Sequence, residues 1–471
     1  MSTSISRAHD ARSIRTLLIL GASGDLTGRL LLPGVARLVA SGRAGDLTLV
    51  GAGSDAWTAE QWLQRVDECF NPAHDGATNG GAEALDAVRA STSYHQVDVT
   101  APGELAALLA TLPAPIAVYF ALPPAVSQAA CAALQASDLP EGTRLVMEKP
   151  FGSSEESARE LNRLLAQLVP EDHIHRVDHF LGKSTVFNIL GLRFANRLFE
   201  PLWNSENVES VEIIFDEDLA LENRARYYDH AGALRDMIQS HLLQIMALVA
   251  MEPPATLGEQ DVRDGIATAL RAASINPART RRARYTAGSI NGREVADYTA
   301  EQGVDPALDT ETLAEVEVSI NNWRWASVPF ILRSGKALGR ARKEAIVTFK
   351  PVPHLPTGFH GTDSPTRLHI GFGPDTLQLD LDVNGPGDLF TLNKAHLLAN
   401  LSGDPLLPYG EVLDGVLNAD PLLSVRGDTA ELCWKLVDPT LAAWARNEVP
   451  LESYPAGSTG PADWPSSSEK D

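Results

Sequence analysis

The first third of the chain alternates short apolar runs with segments of helical periodicity. Thr16–Leu20 is an apolar run that ends at a glycine, as a buried parallel strand does. The pattern predicts further strands at Leu47–Gly51, His95–Val99, Ile116–Ala121, Arg144–Met147 and Ile174–Val177. Helices such as Ala59–Cys69 and Ser154–Leu168 are predicted between them. Because strands and helices alternate, residues 1–177 are predicted to form an α/β Rossmann-type domain with a doubly wound parallel sheet.

From residue 178 to residue 455 the pattern changes to runs of strands with few helices between them. Strands are predicted at Ser210–Phe215, Leu313–Ile320, Val328–Leu332, Ala345–Phe349, Leu368–Gly371 and Leu377–Leu381. A long helix enters at Tyr227, and its apolar stripe consists of Leu234, Ile238, Leu242, Ile245 and Val249. This order predicts an α+β domain built on a large, mostly antiparallel sheet. The basic tract Arg281–Tyr285 is assigned to solvated surface, and the serine-, glycine- and proline-rich residues 456–471 are assigned to a disordered tail.

Composition narrows the class of protein. With 471 residues, of which 44% are hydrophobic, the chain can bury the cores of two domains. Its longest strongly apolar run, Leu242–Met251, is far shorter than the roughly 20 residues that span a bilayer, and its polar amino terminus has no apolar signal core. Cys69, Cys131 and Cys433 are widely spaced, which argues against a disulfide framework or a zinc site. We therefore expect a cytoplasmic protein.

The charge of the chain makes basic clusters informative. A net charge of −22 disfavours nucleic acids and anionic membranes as partners, so an anion site has to be a local basic island. His175–Lys183 is such an island, with two histidines, an arginine, a lysine and an aspartate. Asp178 suits a helix N-cap, and apolar residues at helical spacing follow it, so a helix is predicted from near Asp178 with His179 and Lys183 on one face. That pair suits a phosphate ester, and a solvated basic helix start is the alternative.

Three loops at the predicted carboxyl ends of strands are candidates for ligand binding. Gly21–Leu26 is a glycine turn between a strand and a helix, which exposes backbone N–H groups to a pyrophosphate, although a simple crossover has the same pattern. The other two loops, Leu122–Pro124 and Glu148–Gly152, contain prolines. The alternative interpretation is that these prolines only mark turns. His241 lies at the edge of the apolar helix stripe, where a histidine is more often a core residue than a catalyst.

The sequence RVDHFLGK at Arg176–Lys183 resembles the RIDHYLGK motif of the glucose-6-phosphate dehydrogenase family. From Gly21 to about Trp444, other segments resemble motifs of that family in the same order, namely GASGDL, EKPFG, GALRDMIQSHLLQ, NWRW, VPF and LRSGK. The resemblance implies oxidation of D-glucose 6-phosphate at C1 to 6-phospho-D-glucono-1,5-lactone, the first step of the oxidative pentose phosphate pathway. It implies hydride transfer to NAD or NADP, no metal, and a homodimer or homotetramer.

The resemblance also assigns roles to individual residues. His241 corresponds to the general base and Asp178 to the carboxylate that hydrogen-bonds its far ring nitrogen, and a neutral imidazole with an ordinary pKa of about 6.5 suits that work. His179 and Lys183 correspond to ligands of the phosphate. Sugar-binding roles fall on Lys149, Glu217, Asp236 and Lys336. Coenzyme-binding roles fall on Gly21, Ser23, Gly24, Asp25, Leu26, Ser54, Asp55, Pro123 and Lys149. Pro150 is expected to follow a cis peptide bond.

The chain departs from the family pattern near two of these motifs. Phe180 stands where the family usually has a tyrosine whose hydroxyl helps to bind phosphate. Ser184 replaces a glutamate after LGK, and Ser240 replaces the asparagine before the catalytic histidine. These changes predict one fewer hydrogen bond to the phosphate and an altered environment for the base.

The coenzyme end departs from the pattern as well. NADP-using members read VGxARR after the second strand, whereas this chain reads VGAGSD, with Ser54 at the arginine position and Asp55 after it. An acid at this point binds the 2′-hydroxyl of NAD, and an arginine accommodates the 2′-phosphate of NADP. Arg29 is the only cation expected nearby, so NAD is predicted to be preferred. The alternative is that Asp55 points to solvent and Arg29 captures NADP.

Two other functions fit parts of the sequence. A sugar oxidoreductase of the glucose-fructose oxidoreductase type shares the EKP turn and the combination of a nucleotide domain with an open sheet, but it lacks RVDHFLGK. A non-catalytic dinucleotide-binding subunit could keep the fold without the chemistry, and the intact Asp178 and His241 argue against it.

Overall fold

The chain divides into two compact units. A computed structural model describes residues 14–464 apart from residues 45, 76–78, 223–224, 362–363, 386, 402–405 and 463. The first unit contains the chain up to residue 183 together with residues 256–263 and 404–431, and the second contains residues 184–255, 264–403 and 432 onwards. This division differs from the predicted boundary after Val177, because two later segments of the chain belong to the first unit.

The strands and helices follow the predicted alternation closely in the first unit. The strands are β1 (Thr16–Leu20), β2 (Thr48–Gly53), β3 (Ser93–Gln96), β4 (Ile116–Phe120), β5 (Arg144–Met147), β6 (Ile174–Val177), β7 (Val208–Asp216), β8 (Ala273–Thr286), β9 (Gly288–Ile290), β10 (Arg293–Val295), β11 (Leu313–Ile320), β12 (Pro329–Gly335), β13 (Arg342–Phe349), β14 (His360–Gly361), β15 (Arg367–Phe372), β16 (Asp375–Asn384), β17 (Thr391–Asn400), β18 (Ser424–Val425) and β19 (Leu451–Pro455). The α-helices are α1 (Leu32–Ala40), α2 (Ala59–Asp75), α3 (Asn79–Ser91), α4 (Glu104–Leu109), α5 (Pro124–Ala132), α6 (Glu155–Leu168), α7 (Ser184–Phe194), α8 (Ala225–Ala233), α9 (Leu243–Ala250), α10 (Glu259–Ala272), α11 (Pro408–Leu417) and α12 (Gly427–Ala445). Two π-helical segments, Thr27–Leu31 and Leu234–Leu242, precede α1 and α9. Within the described part of the chain, none of these helices is long and apolar enough to cross a membrane.

The first unit is built on a parallel sheet. Its strand order is β18-β6-β5-β4-β1-β2-β3, and every pairing is parallel except that of the short β18 with β6. Every residue of β1, β4, β5 and β6 is buried, as expected for strands covered by helices on both faces. The order reverses between β1 and β4, and ligands of such sheets bind beside the carboxyl ends of strands at this switch point. The predicted Rossmann-type sheet is confirmed.

A segment from late in the sequence completes the first unit. Apolar residues of α11 share a core with those of α1, and this core includes Leu413, Val416, Val35 and Ala36. The two helices approach closely, since a Cβ atom at Gly34 would lie 3.1 Å from the backbone nitrogen of Gly410. The core of this unit therefore contains residues from both ends of the chain.

The second unit is built on a large mixed sheet. Its strand order is β14-β17-β16-β15-β13-β7-β12-β11-β8-β19. The pairs β7–β12, β8–β19 and β14–β17 are parallel, and the remaining pairs are antiparallel. The predicted mostly antiparallel sheet is confirmed, although its strands β8, β14, β17 and β19 were not predicted. β8 contains the basic tract assigned to solvated surface, and this assignment is wrong at Arg282, which is buried and donates to the carbonyls of Trp444 and Val449.

The predicted disordered tail is in part ordered. Trp464 is buried, its indole N–H donates to Glu452 at 3.0 Å, and its carbonyl accepts from Arg333. Gly457 takes a positive φ of 86° and donates its N–H to the carbonyl of Ala337. Residues 463 and 465–471 lie outside the described residues. The prediction failed at 456–462 and at 464 because one tryptophan supplies an apolar anchor that the polar composition conceals.

Candidate active site

The glycine turn after β1 has the geometry of a dinucleotide loop. Gly21 has a φ of 81°, and a Cβ atom there would lie 2.3 Å from the carbonyl oxygen of Ala121, so a side chain is excluded. The N–H of Gly24 and the hydroxyl of Thr27 both donate to the carbonyl of Gly21, at 3.0 and 3.1 Å. The backbone therefore turns tightly into a helix whose first N–H groups can approach a pyrophosphate. Asp25 and Leu26 form the first turn of that helix.

The carboxylate of Asp55, in the loop after β2, contacts the glycine turn. The Ser23 hydroxyl donates to Oδ2 of Asp55 at 2.5 Å. The carbonyl of Asp55 accepts from the Tyr94 hydroxyl, and that of Ser54 accepts from the amide of Gln96. Asp55 is thus fixed beside the dinucleotide loop, where Rossmann-type sites bind a ribose.

One cation at this end of the sheet was missed by the sequence argument. Arg29 pairs with Asp25 at 3.1 Å, and both side chains are exposed. It is not the only nearby cation, because Arg65 of α2 donates from Nη2 to the carbonyl of Ser23 at 3.3 Å. Helical periodicity places Arg65 on α2 but says nothing about which loop the side chain reaches.

The two proline turns lie at the carboxyl ends of β4 and β5. Pro123 precedes the first residue of α5, and its carbonyl accepts from the N–H of Ser127 at 2.9 Å. The Lys149–Pro150 peptide bond is cis, as predicted. Beside it, Glu148 accepts a hydrogen bond from the Tyr119 hydroxyl. Burial raises the pKa of Glu148, although the charge of Lys149 and the bond from Tyr119 oppose the shift.

After β6, the residues Asp178–Lys183 of the RVDHFLGK segment form consecutive turns and not the start of a helix. Oδ1 of Asp178 accepts from the N–H of Phe180 at 2.9 Å, and the carbonyl of Phe180 accepts from the N–H of Lys183 at 3.1 Å. The helix α7 begins only at Ser184. The predicted helix start at Asp178 is therefore wrong, as is the predicted helix face shared by His179 and Lys183. The capping-type bond of Asp178 closes a local turn instead.

The turns nevertheless bring the two predicted phosphate ligands to one aromatic side chain. The centre of the His179 ring lies 4.8 Å from that of Phe180, and Nζ of Lys183 lies 5.2 Å from the centre of the same ring. His179 also stacks on Tyr409, with ring centres 5.6 Å apart and an interplanar angle of 9°. Tyr409 follows Lys183 by more than two hundred positions, and no local pattern identifies it.

Not every charged residue of the basic island belongs to this patch. Arg176 is buried on β6 and donates to Glu171 and Asn162, at 2.7 Å in each case. His175 is fully buried, and burial together with the positive charges of Arg144 and Arg263 lowers its pKa to about 3. These two residues support the strand and do not contribute to the candidate site.

The carboxyl group of Asp178 has a raised pKa. It is buried, and burial raises its pKa to about 6. The positive charges of His179 and Lys149 and the hydrogen bond from Phe180 act in the opposite direction. Lys149 and His179 therefore each lie within electrostatic reach of Asp178 in the first unit.

In the second unit, Glu217 and Lys336 lie at matching ends of parallel strands. Asp216 of β7 is paired with Gly335 of β12, so the next residue of each strand leaves the sheet at the same edge. Nζ of Lys336 lies 2.6 Å from Oε2 of Glu217 and 5.2 Å from the centre of the Tyr228 ring. An ammonium group and a carboxylate in this arrangement offer a donor and an acceptor to sugar hydroxyls.

The helix that carries His241 begins at a kink. Gly232 has a φ of 69°, and a Cβ atom there would lie 2.4 Å from Oε1 of Glu311. The same oxygen accepts from the N–H of Leu234 at 2.9 Å, which satisfies a backbone donor at the start of the next helical segment. Only glycine fits this turn, because any side chain would displace the capping carboxylate.

The π-helical segment Leu234–Leu242 changes which of its residues share a face. Hydrogen bonds from residue i to i+5 imply more residues per turn than the 3.6 of an α-helix, so Asp236 and His241 lie closer together around the axis than the predicted periodicity allows. His241 is fully buried, and Asp236 accepts from the Tyr227 hydroxyl at 3.1 Å. Ser240, which departs from the family pattern, donates to the carbonyl of Arg235 at 2.9 Å.

Comparisons with known proteins identify the family of this chain. The family model "Glucose-6-phosphate dehydrogenase, NAD binding domain" matches residues 18–188, and "Glucose-6-phosphate dehydrogenase, C-terminal domain" matches residues 190–471. The chain is similar to glucose-6-phosphate 1-dehydrogenase from Zymomonas mobilis subsp. mobilis, with 36% identity over 98% of both chains, and to that from Gluconobacter oxydans, with 37% identity over 94% of both.

Solved structures give the same result. A glucose-6-phosphate 1-dehydrogenase from Mycobacterium avium shares 34% identity over 95% of both chains, with a TM-score of 0.83. A glucose-6-phosphate dehydrogenase in complex with its substrate glucose-6-phosphate shares 27% identity over 96% of both chains, with a TM-score of 0.84. Since both family models match and together span nearly the whole chain, this protein belongs to the glucose-6-phosphate dehydrogenase family.

Proposed function

We propose that this protein oxidises D-glucose 6-phosphate at C1 to 6-phospho-D-glucono-1,5-lactone, with a nicotinamide dinucleotide as coenzyme. The observation that carries the proposal is the basic patch of the first unit. There His179 and Lys183 are held against Phe180 in a chain of net charge −22, and this patch suits a phosphate dianion. Family membership supports the same substrate.

In this proposal His241 acts as the general base. Loss of a hydride from C1 leaves positive charge unless the anomeric hydroxyl also loses its proton, and a neutral imidazole can accept that proton. The nicotinamide ring, when bound, accepts the hydride. Asp178 has the role of the family's carboxylate that fixes the tautomer of the base and stabilises the imidazolium that forms.

The remaining residues bind and orient the substrate. His179 and Lys183 hold the phosphate, and Lys149, Glu217, Asp236 and Lys336 contact the sugar hydroxyls. The ion pair between Lys336 and Glu217 and the contact of Tyr227 with Asp236 hold three of these side chains in defined positions before substrate arrives.

The coenzyme-binding residues of the proposal surround the crevice beside β1, β2 and β4. Gly21, Ser23, Gly24, Asp25 and Leu26 form the pyrophosphate loop. Ser54 and Asp55 face the adenosine ribose, and Pro123 and Lys149 follow the carboxyl ends of β4 and β5. A metal-free reaction, a homodimer or homotetramer and a cytoplasmic location stay predictions.

A direct assay tests the proposed activity. The purified full-length chain is mixed with glucose 6-phosphate and either NAD or NADP, and the near-ultraviolet absorbance of the reduced nicotinamide is followed. An increase that depends on both reactants is expected. Family membership does not favour a sugar oxidoreductase of the glucose-fructose type, which would reduce the coenzyme with unphosphorylated sugars, and a non-catalytic subunit would give no signal with any of them.

The raised pKa of Asp178 predicts that the activity decreases at low pH. Below about pH 6 this carboxyl group is protonated, so it no longer stabilises a charged His241, and kcat/KM falls as the pH drops. The substrate phosphate titrates in the same range. The informative comparison is therefore with Asp178→Asn, in which the slope of log(kcat/KM) against pH should be smaller by about one proton. Identical slopes in the two proteins would contradict this role.

Coenzyme preference is a second prediction. We propose that NAD is preferred, because the Asp55 carboxylate beside Ser23 opposes a 2′-phosphate. Two charges about 4 Å apart interact with up to about 4 kcal/mol at an effective dielectric near 20, and screening at an exposed rim reduces this severalfold. Even about 1.4 kcal/mol corresponds to a tenfold preference.

The measurement for coenzyme preference is the ratio of kcat/KM for NAD to that for NADP in the unaltered enzyme. A ratio that favours NADP by about tenfold or more would overturn the proposal. In the double variant Ser54→Arg, Asp55→Arg, the ratio should shift toward NADP, since two cations then replace a hydroxyl and an acid.

A further inference from the structure

Arg65 occupies a defined position on the dinucleotide loop. Its Nη2 donates to the carbonyl of Ser23 at 3.3 Å, and its Cζ lies 5.3 Å from the centre of the Trp57 ring. A Cβ atom at Gly28 would lie 2.0 Å from Nη1 of Arg65, so the absent side chain of Gly28 makes room for the guanidinium. The loop and the ring together hold this cation at the coenzyme crevice.

The surroundings of Arg65 place it beside the acid that faces the ribose. Ser23 links the two, because its hydroxyl donates to Asp55 while its carbonyl accepts from Arg65. Trp57 directly follows the Asp55 loop, and its N–H donates to the carbonyl of Asp55 at 2.9 Å. Tyr94 packs on Trp57 with ring centres 5.9 Å apart and also bonds the Asp55 carbonyl. The guanidinium of Arg65 and the carboxylate of Asp55 therefore both lie beside Ser23, at the end of the loop where the adenosine is proposed to bind.

Most of the donor capacity of Arg65 is unused by the described part of the protein. A guanidinium has five N–H donors, and the bond to Ser23 uses one of them. Among the described residues no carboxylate pairs with Arg65, although the chain carries 61 acidic and 39 basic residues. The contact with Trp57 is not a hydrogen bond, so it leaves the remaining N–H donors available for a phosphate.

We propose that Arg65 is a coenzyme-specificity residue that binds the 2′-phosphate of NADP and opposes Asp55. A guanidinium binds a phosphate monoester through paired N–H donors, and the contacts with Ser23 and Trp57 hold the group at the loop. The enzyme then accepts NADP as well as NAD, and the size of the NAD preference reflects the balance between Asp55 and Arg65. This inference rests on the proposed nicotinamide-dependent function.

The test measures nucleotide binding without sugar or turnover. Isothermal titration calorimetry on the full-length protein compares adenosine 2′,5′-bisphosphate with adenosine 5′-monophosphate, which differ only in the 2′-phosphate. Arg65→Met should weaken binding of the bisphosphate by about tenfold or more and change binding of the monophosphate by less than about twofold. Arg65→Lys keeps the charge without the fork and should give an intermediate loss.

Two further variants separate this role from others. Arg163→Met removes the same charge from an exposed position on α6 and should leave both nucleotides unaffected. Arg29→Met tests the rival cation, whose pairing with Asp25 predicts a smaller loss than in Arg65→Met. Equal weakening of both nucleotides in Arg65→Met would show that Arg65 only braces the loop, and a larger loss in Arg29→Met would assign the 2′-phosphate to Arg29. Either result overturns the proposal.

The outcome stays distinguishable from failure of the proposed function. Loss of selectivity for the bisphosphate is measured without glucose 6-phosphate, so an enzyme inactive toward that sugar would still report on Arg65. In active enzyme, the ratio of kcat/KM for NAD to that for NADP should rise by about tenfold in Arg65→Met. The preference of the unaltered enzyme tests Asp55 separately.

Discussion

His241→Asn is expected to lower kcat by at least about two orders of magnitude, because general base catalysis contributes roughly 10²- to 10⁴-fold and an amide cannot accept the proton of the anomeric hydroxyl. The affinity for glucose 6-phosphate should change little, since the phosphate and sugar ligands are other residues. Asparagine is polar and comparable in size to part of the imidazole, so the fully buried position on the π-helical segment remains filled. Steady-state kinetics at saturating coenzyme measure both parameters.

A matched control for His241→Asn lies on the same unit. His230 is exposed on α8, where its ring contacts the carbonyl of Arg226, and it has no part in the proposed chemistry. In His230→Asn, kcat should stay within about twofold of that of the unaltered enzyme, because substitutions of exposed residues away from the active site usually have small effects. A His241→Asn protein that is folded, as judged by its thermal transition, and that retains near-normal kcat would remove His241 from the mechanism.

Lys183→Ala is expected to weaken binding of glucose 6-phosphate by about 1.5 to 3 kcal/mol, which is the size of a charge-assisted hydrogen bond. This corresponds to an increase of roughly ten- to a hundredfold or more in the dissociation constant. Binding of unphosphorylated glucose should change far less, since the contact is with the phosphate alone. Equilibrium titration of both sugars in the absence of coenzyme gives the two effects directly.

The choice of replacement at Lys183 separates charge from packing. Nζ of Lys183 lies over the ring of Phe180, so the alanine variant removes both the ammonium group and the methylene stem. Lys183→Met keeps most of the stem and should show nearly the same loss for glucose 6-phosphate if the charge is responsible. Equal losses for the two sugars would mean that Lys183 is not a ligand of the phosphate.

The framework of the first unit was predictable because strands such as β1, β2 and β4 are buried and largely apolar. Each of the predicted strands from Thr16 to Val177 has a counterpart in the structure, although the third spans Ser93–Gln96 where His95–Val99 was predicted. Motif order also predicted the family, which the comparisons confirm. Information of this kind lies within short windows of sequence, where periodicity and turn chemistry act.

The errors arose where a local signal has two structural outcomes. Asp178 has the chemistry of an N-cap, but the same carboxylate can close a turn on the N–H of Phe180, and the chain adopts that arrangement. A repeat of 3.6 residues placed His241 at the edge of the apolar stripe, whereas it lies on a π-helical segment and is fully buried. In both cases the residue type was read correctly and the geometry was not.

The remaining features depend on contacts between distant parts of the sequence. Tyr409 stacks on His179, Glu311 caps the helix after Gly232, and Trp464 anchors the carboxyl-terminal segment. Arg65 donates to Ser23, although β2 lies between these two residues in the sequence. No window that predicts a single element contains both partners of any such contact, so these pairs become visible only in the folded chain.

The return of residues 404–431 to the first unit also bears on how the protein is made. At roughly 5–20 residues per second, a ribosome needs some tens of seconds to proceed from residue 183 to residue 431. Throughout that interval α1 lacks the apolar face of α11, and His179 lacks the ring of Tyr409. We therefore expect the nascent amino-terminal part to leave the exit tunnel with an incomplete core and to become a stable unit only after residues 404–431 have been made. Chaperones that recognise exposed apolar surface would find their binding site on α1 during this period.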